Sequence, residues 1–168
     1  YTVQRPHRPP DERLVSSNGA PIGMQWLTHP PWANVALLYT LFIVYMSLLP
    51  LDFQPVPWPE AWHAATHIPF LNLSLYARAD WVANGLVFAP IGFFWCAMLT
   101  SAGTARIAAI AIAATLGVGG AWLLEAVQTY FQGRTQSLND VYAEMIGATA
   151  GALAAGVLAA PLTLSLIH

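Results

Sequence analysis

The stretch RIAAIAIAATLGVGGAWLLEAVQTYF, residues 106–131, decides the fold class. Between Arg106 and Glu125 it carries no charged residue. It is longer than the roughly 20 residues that a helix needs to cross a hydrocarbon core of about 30 Å. Only a helix satisfies every backbone group inside lipid without a neighbouring segment. Because the stretch has no polar face, we expect a membrane-spanning helix rather than a buried helix of a soluble core.

Three further apolar runs occupy residues 32–50, 81–100 and 141–167, and each can reach the length of a membrane span. The chain of 168 residues is 57% hydrophobic and only 8% charged, whereas a soluble domain carries about 25% charged residues. We therefore predict an all-α polytopic membrane protein, a bundle of about four transmembrane helices. The net charge of −2 gives no reason to expect a nucleic-acid partner.

Two segments lie outside these runs. Residues 1–31 are polar and rich in proline, which predicts an N-terminal arm ahead of a transmembrane domain at 32–168. Residues 51–80 form a long loop between the first and second helices. Its aromatic residues include Trp58, Trp62 and Tyr76, and tryptophan and tyrosine prefer the headgroup level of a bilayer. We expect this loop to lie flat on the membrane and to cap the bundle.

The arginines indicate the orientation in the membrane. If the N-terminus is inside, four arginines lie inside and two outside. The inner ones are Arg5, Arg8, Arg13 and Arg106, and the outer ones are Arg78 and Arg134. Since cytoplasmic loops carry the excess of basic residues, we expect both termini in the cytoplasm.

Seven polar residues meet at one level of the membrane, because an even number of chain reversals separates their positions. They are Asp80, Asn84, Glu125, Gln128, Arg134, Asp140 and Glu144. Within each helix these residues are three or four apart, a spacing that places them on one face. With the termini in the cytoplasm, this polar cluster lies at the outer face of the membrane.

Two interpretations of the cluster remain open. Carboxylates at helix starts complement the helix dipole, and Ser137 with Asp140 is typical of an N-capping box; this reading suits Asp80 and Asp140. Glu125 is different, because it lies inside an apolar run near the wrong helix end. With Arg134 it predicts a binding site or an obligatory buried ion pair. Glu144 falls between these cases.

Other features of the sequence are weaker evidence for a functional site. Gly147 and Gly151 form a small-xxx-small pair, which is typical of close helix packing. His63 and His67 have helical spacing but no third ligand in sequence, so we expect no metal site. The chain contains no GxSxG, HExxH or phosphate-binding glycine loop. We therefore expect no catalytic residues and no cofactor, and an enzyme using the carboxylates as acid and base ranks below the binding functions.

Two longer segments resemble a known family. DWVANGLVFAPIGFF, from Asp80, is similar to the asparagine-phenylalanine-proline-glycine segment of VanZ-like membrane proteins. EAVQTYFQGRTQSLNDVYAEMIGATAG, residues 125–151, resembles the second signature of that family, and SLLPLD from Ser47 and IPF from Ile68 fit it as well. The resemblance covers about residues 35–155. The family usually has asparagine where this chain has Glu144, so this chain has one more carboxylate.

The resemblance implies a small helical bundle in the bacterial cytoplasmic (inner) membrane. The family is named for a member that lowers susceptibility to the glycopeptide antibiotic teicoplanin, so one expectation is envelope-related binding or antibiotic tolerance at the polar cluster. The alternative is an accessory or assembly subunit of a larger respiratory or photosynthetic membrane complex. The proline-rich arm and the very apolar helices motivate that alternative. The expected partners are the lipid bilayer and, under the alternative, other membrane subunits.

Overall fold

The computed structural model describes residues 32–71 and 75–158, except for the side chains of residues 75–77. Five helices follow one another in these ranges: α1 (Trp32–Leu48), α2 (Trp58–Thr66), α3 (Leu75–Ser101), α4 (Arg106–Gln128) and α5 (Leu138–Leu158). β-Pairing in the described ranges is limited to an isolated antiparallel bridge between Phe53 and Phe131. The all-α prediction is therefore confirmed. The predicted arm, residues 1–31, lies outside the described residues.

Three helices are long and apolar enough to cross a membrane. They are α4, α5 and the part of α3 from Arg78 to Ser101. α1 is also apolar but has 17 residues, or about 25 Å at the helical rise. That length is at the lower limit of the roughly 17–25 residues of a span. The chain is thus a multi-pass membrane protein, in agreement with the predicted bundle of about four helices.

Two helices begin earlier than their apolar runs. α3 begins at Leu75, not at Trp81, so Asp80 lies in its second turn instead of opening the helix. The expectation that Asp80 complements the start of this helix was wrong. Arg78 and Ala79 are strong helix formers, and the helix continues through them although they are not part of the apolar run. α5 begins at Leu138, with Asp140 in its first turn.

The long loop between α1 and α3 contains the short helix α2, which the sequence analysis did not single out. Pro57 precedes it and a second proline lies in its first turn, where a proline costs no helical hydrogen bond. Ala61 and Ala65 are buried against the bundle, while Trp58 and Trp62 are 70% and 53% exposed. This arrangement fits the predicted interfacial loop.

α3 packs on α1, α4 and α5, and its most extensive contact is with α5. Glycines bring the two backbones together. A Cβ at Gly147 would lie on the carbonyl oxygen of Gly85, and one at Gly151 would lie on that of Ala89. Small residues allow such close approach in membranes, where lipid supplies no hydrophobic driving force between helices.

Candidate functional site

The loops after α1 and α4 meet at the end of the bundle where the polar residues lie. The backbone N–H of Gln54 donates to the carbonyl of Tyr130 at 2.8 Å. The backbone N–H of Gln132 donates to the backbone carbonyl of Asp52, also at 2.8 Å. The N–H of Leu138 donates to the carbonyl of Pro69 at 2.9 Å. These bonds bring the end of α1, the long loop, the end of α4 and the start of α5 together.

Glu125 lies in the last turns of α4 and is 2% exposed. Its Oε2 accepts a hydrogen bond from the backbone N–H of Ser137 at 3.0 Å. Ser137 directly precedes α5, and its carbonyl accepts the N–H groups of Asp140 and Val141. The carboxylate of Glu125 therefore connects the end of α4 with the start of α5.

Glu144 lies one helical turn beyond Asp140 and is 4% exposed. Its Oε2 is buried and has no hydrogen-bond partner among the described residues. The carboxyl groups of Glu125 and Asp140 lie close enough to interact electrostatically with that of Glu144. Glu125, Asp140 and Glu144 form what we name the carboxyl cluster. Such a buried oxygen normally has a partner, so this one can accept a hydrogen bond from a bound group.

Asp140 is half-buried at the outer side of the cluster. The side chains of Asn84 and Ser137 approach its carboxylate closely enough to interact with it. Asp80 also acts on its charge, but Asp80 itself is exposed. The carboxylates thus extend from the exposed Asp80 through Asp140 to the buried Glu125 and Glu144.

The structure places Arg134 differently from the sequence expectation. It is exposed in the loop between α4 and α5, and it acts on the three carboxyl groups only through charge at longer range. Glu125 uses the backbone of Ser137 as its partner instead. An obligatory buried ion pair between Glu125 and Arg134 is therefore wrong, because only the carboxylate is buried.

The other predicted residues lie around the cluster. Gln128 is buried, 5% exposed, and Asn84 is half-buried. Gly147 and Gly151 lie on α5 at its backbone contact with α3, below the carboxylates. The sequence pairs on α4 and α5 therefore come together in one region, while Asp80 and Arg134 remain at its exposed edge.

Two polar residues of this region were missed by the sequence analysis. Gln136 donates from Nε2 to the backbone carbonyl of Glu125 at 2.6 Å. Asn139 is 3% exposed and donates from Nδ2 to the carbonyl of Leu71 at 2.6 Å. Both belong to the polar segment TQSLND, residues 135–140, which runs from the loop into the first turn of α5, and short polar side chains at such places often bond to nearby backbone. That composition was the available signal.

The site offers hydrogen-bond acceptors to a bound group. Buried carboxyl groups hold cations or hydrogen-bond donors. Among residues 32–71 and 75–158, no group of three or more histidine, cysteine or acidic side chains is arranged to hold a metal ion. His63, on α2, and His67, which directly follows α2, stack on each other at 4.2 Å between ring centroids, and both are exposed.

Comparisons with known proteins agree with this architecture. Curated proteins and solved structures give no match. The family model described as VanZ/LLP1 matches residues 36–159, well over half of the chain. The matched range includes α3, α4 and the whole region around the carboxyl cluster. The chain therefore belongs to the VanZ/LLP1 family.

Proposed function

We propose that this protein is a non-enzymatic VanZ-family membrane protein that binds a cationic or hydrogen-bond-donating group of an envelope molecule. Glu144 carries the proposal. Its carboxyl group is 4% exposed, and Oε2 has no partner within the described part of the chain. A buried polar atom left without a partner costs about 1–3 kcal/mol. A ligand that donates a hydrogen bond to Oε2 would recover that energy.

The surrounding charges favour a cationic group such as an ammonium. Glu125 and Asp140 add two carboxyl groups beside Glu144. The nearby cation, Arg134, is exposed and acts from a longer distance. Ionisable groups within membranes generally face the bundle interior and pair with a partner. An ammonium between these carboxyl groups supplies that partner.

The proposal includes a location of the carboxyl cluster at the outer face of the cytoplasmic membrane. This location follows from the orientation that the arginines of the sequence predict, with both termini in the cytoplasm. At the outer face of a bacterial inner membrane the site would meet lipid head groups and cell-wall precursors. Binding there would support the tolerance to glycopeptide antibiotics that the family resemblance implies.

The orientation can be tested by cysteine labelling. Cys96 is fully buried, and Glu60 is exposed on α2. The variant Glu60→Cys should react with a membrane-impermeant maleimide in intact spheroplasts, whereas the wild-type chain should stay unlabelled. Labelling only after the membrane is permeabilised would place this end of the bundle in the cytoplasm.

The binding function is tested with Glu144→Gln, which keeps the shape of the side chain but cannot ionise to pair with a cationic ligand. Since hydrogen bonds to charged groups contribute about 1.5–3 kcal/mol against about 0.5–1.5 for neutral ones, affinity for an amine should fall about tenfold. Cells with this variant should show the susceptibility of a deletion strain to a glycopeptide antibiotic and to detergent. The matched control is Glu60→Gln, which removes an exposed carboxylate from the same membrane face. Wild-type susceptibility with Glu144→Gln, at equal amounts of folded protein, would refute the proposal.

The alternative of an accessory or assembly subunit stays a prediction. The arm that motivates it lies outside the described residues. Purification from native membranes in a mild detergent separates the two functions. A stoichiometric set of other subunits would favour the accessory role, and an isolated monomer or homodimer would favour binding at the carboxyl cluster.

A further inference from the structure

An apolar groove of about 190 Å³ lies between α1, α3 and α4. α1 packs mainly on α3 and touches α4 little, so a gap remains between α1 and α4. The main lining residues are Ile43, Val44, Phe88, Ile91, Gly120 and Leu124. The glycine contributes space, because a Cβ at Gly120 would meet nothing within 4 Å.

The groove suits hydrocarbon. The lining has two polar side chains, Thr40 and Trp95, and they bond to each other: Trp95 Nε1 donates to Thr40 Oγ1 at 3.0 Å. The hydroxyl of Thr40 in turn donates to the carbonyl of Ala36 at 2.7 Å. A polar occupant would therefore lose its own hydrogen bonds and gain none from these side chains.

The volume suits a single chain. Pockets for drug-sized ligands are about 300–1,000 Å³, which is larger than this groove. An apolar cavity of about 150 Å³ stays dry and can hold benzene. At about 190 Å³, the groove accommodates a length of one hydrocarbon chain but is too small for a drug-sized ligand or a peptide.

The outer end of the groove leads to polar side chains. One helical turn outward from Ile43, Phe88 and Leu124 come Ser47, Asn84 and Gln128. Residues four apart share a helix face, so each of these three continues the lining of its own helix. Asn84 also approaches the carboxylate of Asp140. Asn84 thus connects the groove with the carboxyl cluster.

Backbone crosses the outer end of the gap between α1 and α4. The segment 51–54 follows α1 and bonds to residues 130–132, which follow α4. Access from the water above is thereby restricted, and the groove opens sideways between two helices whose outer surfaces are apolar. An occupant that enters from the bilayer is therefore favoured over one that enters from water.

We propose that the groove holds one hydrocarbon chain of an amine-bearing membrane lipid whose head group reaches the carboxyl cluster. This inference rests on the proposed function for the head group. Hydrocarbon gains little by leaving a bilayer for an apolar groove, because lipid tails are as apolar as leucine. Selection among lipids therefore comes from the ammonium group, and the groove sets the position of the chain.

The test uses the full chain reconstituted in phosphatidylcholine vesicles with trace phosphatidylethanolamine that carries a diazirine in one acyl chain. A second probe has the same chain on phosphatidylglycerol, which lacks the amine. Labelled peptides from α3 and α4 are quantified by mass spectrometry against label on the exposed face of α1, which reports bulk lipid. Gly120→Leu fills the groove, whereas Gly119→Leu is the matched control outside the lining, with equally open space around its Cβ.

In the wild-type chain, the phosphatidylethanolamine probe should label the groove more than the phosphatidylglycerol probe. Gly120→Leu should lose most of the groove label with both probes, and Gly119→Leu should keep it. Glu144→Gln should keep the label and lose the preference for the amine. Equal groove labelling in Gly120→Leu and Gly119→Leu overturns the inference and leaves the proposed function intact. Groove labelling that is lost in Gly120→Leu but shows no amine preference overturns the amine-bearing lipid, and the proposed function is then decided by the susceptibility of the Glu144→Gln strain.

Discussion

α5 and α1 are both apolar helices that pack on α3, yet they are attached in different ways. α5 meets α3 backbone to backbone at Gly147 and Gly151, and half of its spanning window is buried. α1 buries only Ala36 and Ile43 among its residues. It is held to α3 by side-chain hydrogen bonds, including one from Tyr39 to the carbonyl of Val87 at 3.0 Å.

The difference separates two roles within one bundle. The contact between α3 and α5 leaves no room for adjustment, so it holds Asn84 and Asp140 in a constant relation. The contact of α1 leaves the apolar groove beside α4. Regions with few buried contacts are those that open most easily. We therefore expect the carboxyl cluster to belong to the rigid part and the groove to the adaptable part.

The largest expected effect comes from breaking the rigid contact with Gly151→Leu. A Cβ at this position would lie on the carbonyl oxygen of Ala89, and backbone cannot move aside as a flexible side chain can. Overpacking costs typically about 1–3 kcal/mol and occasionally more, and we expect this variant at or above the upper limit. The measurement is unfolding by sodium dodecyl sulfate in mixed micelles, followed by circular dichroism.

Gly119→Leu is the control for this substitution, because a Cβ at Gly119 has nothing within 4 Å. It should unfold at the same or a slightly higher detergent fraction than the wild type, since leucine is the better helix former. If the two variants were equally unstable, the rigid contact would not be what distinguishes α5 from α1.

The next effect concerns the hydrogen bond by which Glu125 connects the end of α4 with the start of α5. Glu125→Ala removes the acceptor of the Ser137 N–H, a group that is buried with its residue. An unsatisfied buried donor costs about 1–3 kcal/mol, and the same unfolding assay should register that loss. Glu125→Gln keeps an acceptor oxygen and should lose less than half as much. Equal losses in both variants would mean that the carboxyl group of Glu125 stabilises the contact between α4 and α5 by its charge and not by its hydrogen bond to Ser137.

Sequence patterns were sufficient for the architecture. Hydrophobic runs of membrane length predicted α3, α4 and α5, and the alternation of helix directions placed Glu125 and Glu144 at one end of the bundle. Such patterns depend on composition along the chain. Composition is nearly sufficient to predict a spanning helix, because a segment inside a bilayer must satisfy all its backbone hydrogen bonds. The patterns were weaker at helix starts, because the polar residues around Asp80 join the helix without adding to the apolar run.

The partners of individual side chains could not be predicted in this way. Arg134 was expected to form either a binding site or a buried ion pair with Glu125, because it is the cation beside the acidic residues at the same membrane level. The structure satisfies Glu125 with a backbone N–H and leaves Arg134 exposed. Backbone donors near helix starts are invisible in a list of charges, although they are always present. The groove was also missed, since it depends on how far α1 lies from α4.

A moderate effect is expected where α1 is attached. Trp95→Phe removes the donor to Thr40 while keeping an aromatic ring. A hydrogen bond of this kind contributes about 0.5–1.5 kcal/mol, and the loss should fall on α1 and not on α5. Hydrogen exchange measured by mass spectrometry should therefore increase in α1 peptides, with α5 unchanged. Trp62→Phe, in an exposed part of α2, is the control. A uniform increase along the whole chain would mean that α1 is not the adaptable part.

The smallest expected effect tests whether Arg134 is exposed, as in the structure, or forms the buried ion pair with Glu125 that the charges of the sequence suggest. Arg134→Gln removes an exposed guanidinium that acts on the carboxyl cluster only at longer range. Exposed charges contribute about 0–1 kcal/mol, so unfolding should shift by less than that and the shift should shrink in high salt. Breaking a buried ion pair would instead cost about 3–5 kcal/mol, because it leaves a buried charge without compensation. A loss of that size, insensitive to salt, would show that Arg134 belongs to the rigid part together with Glu125.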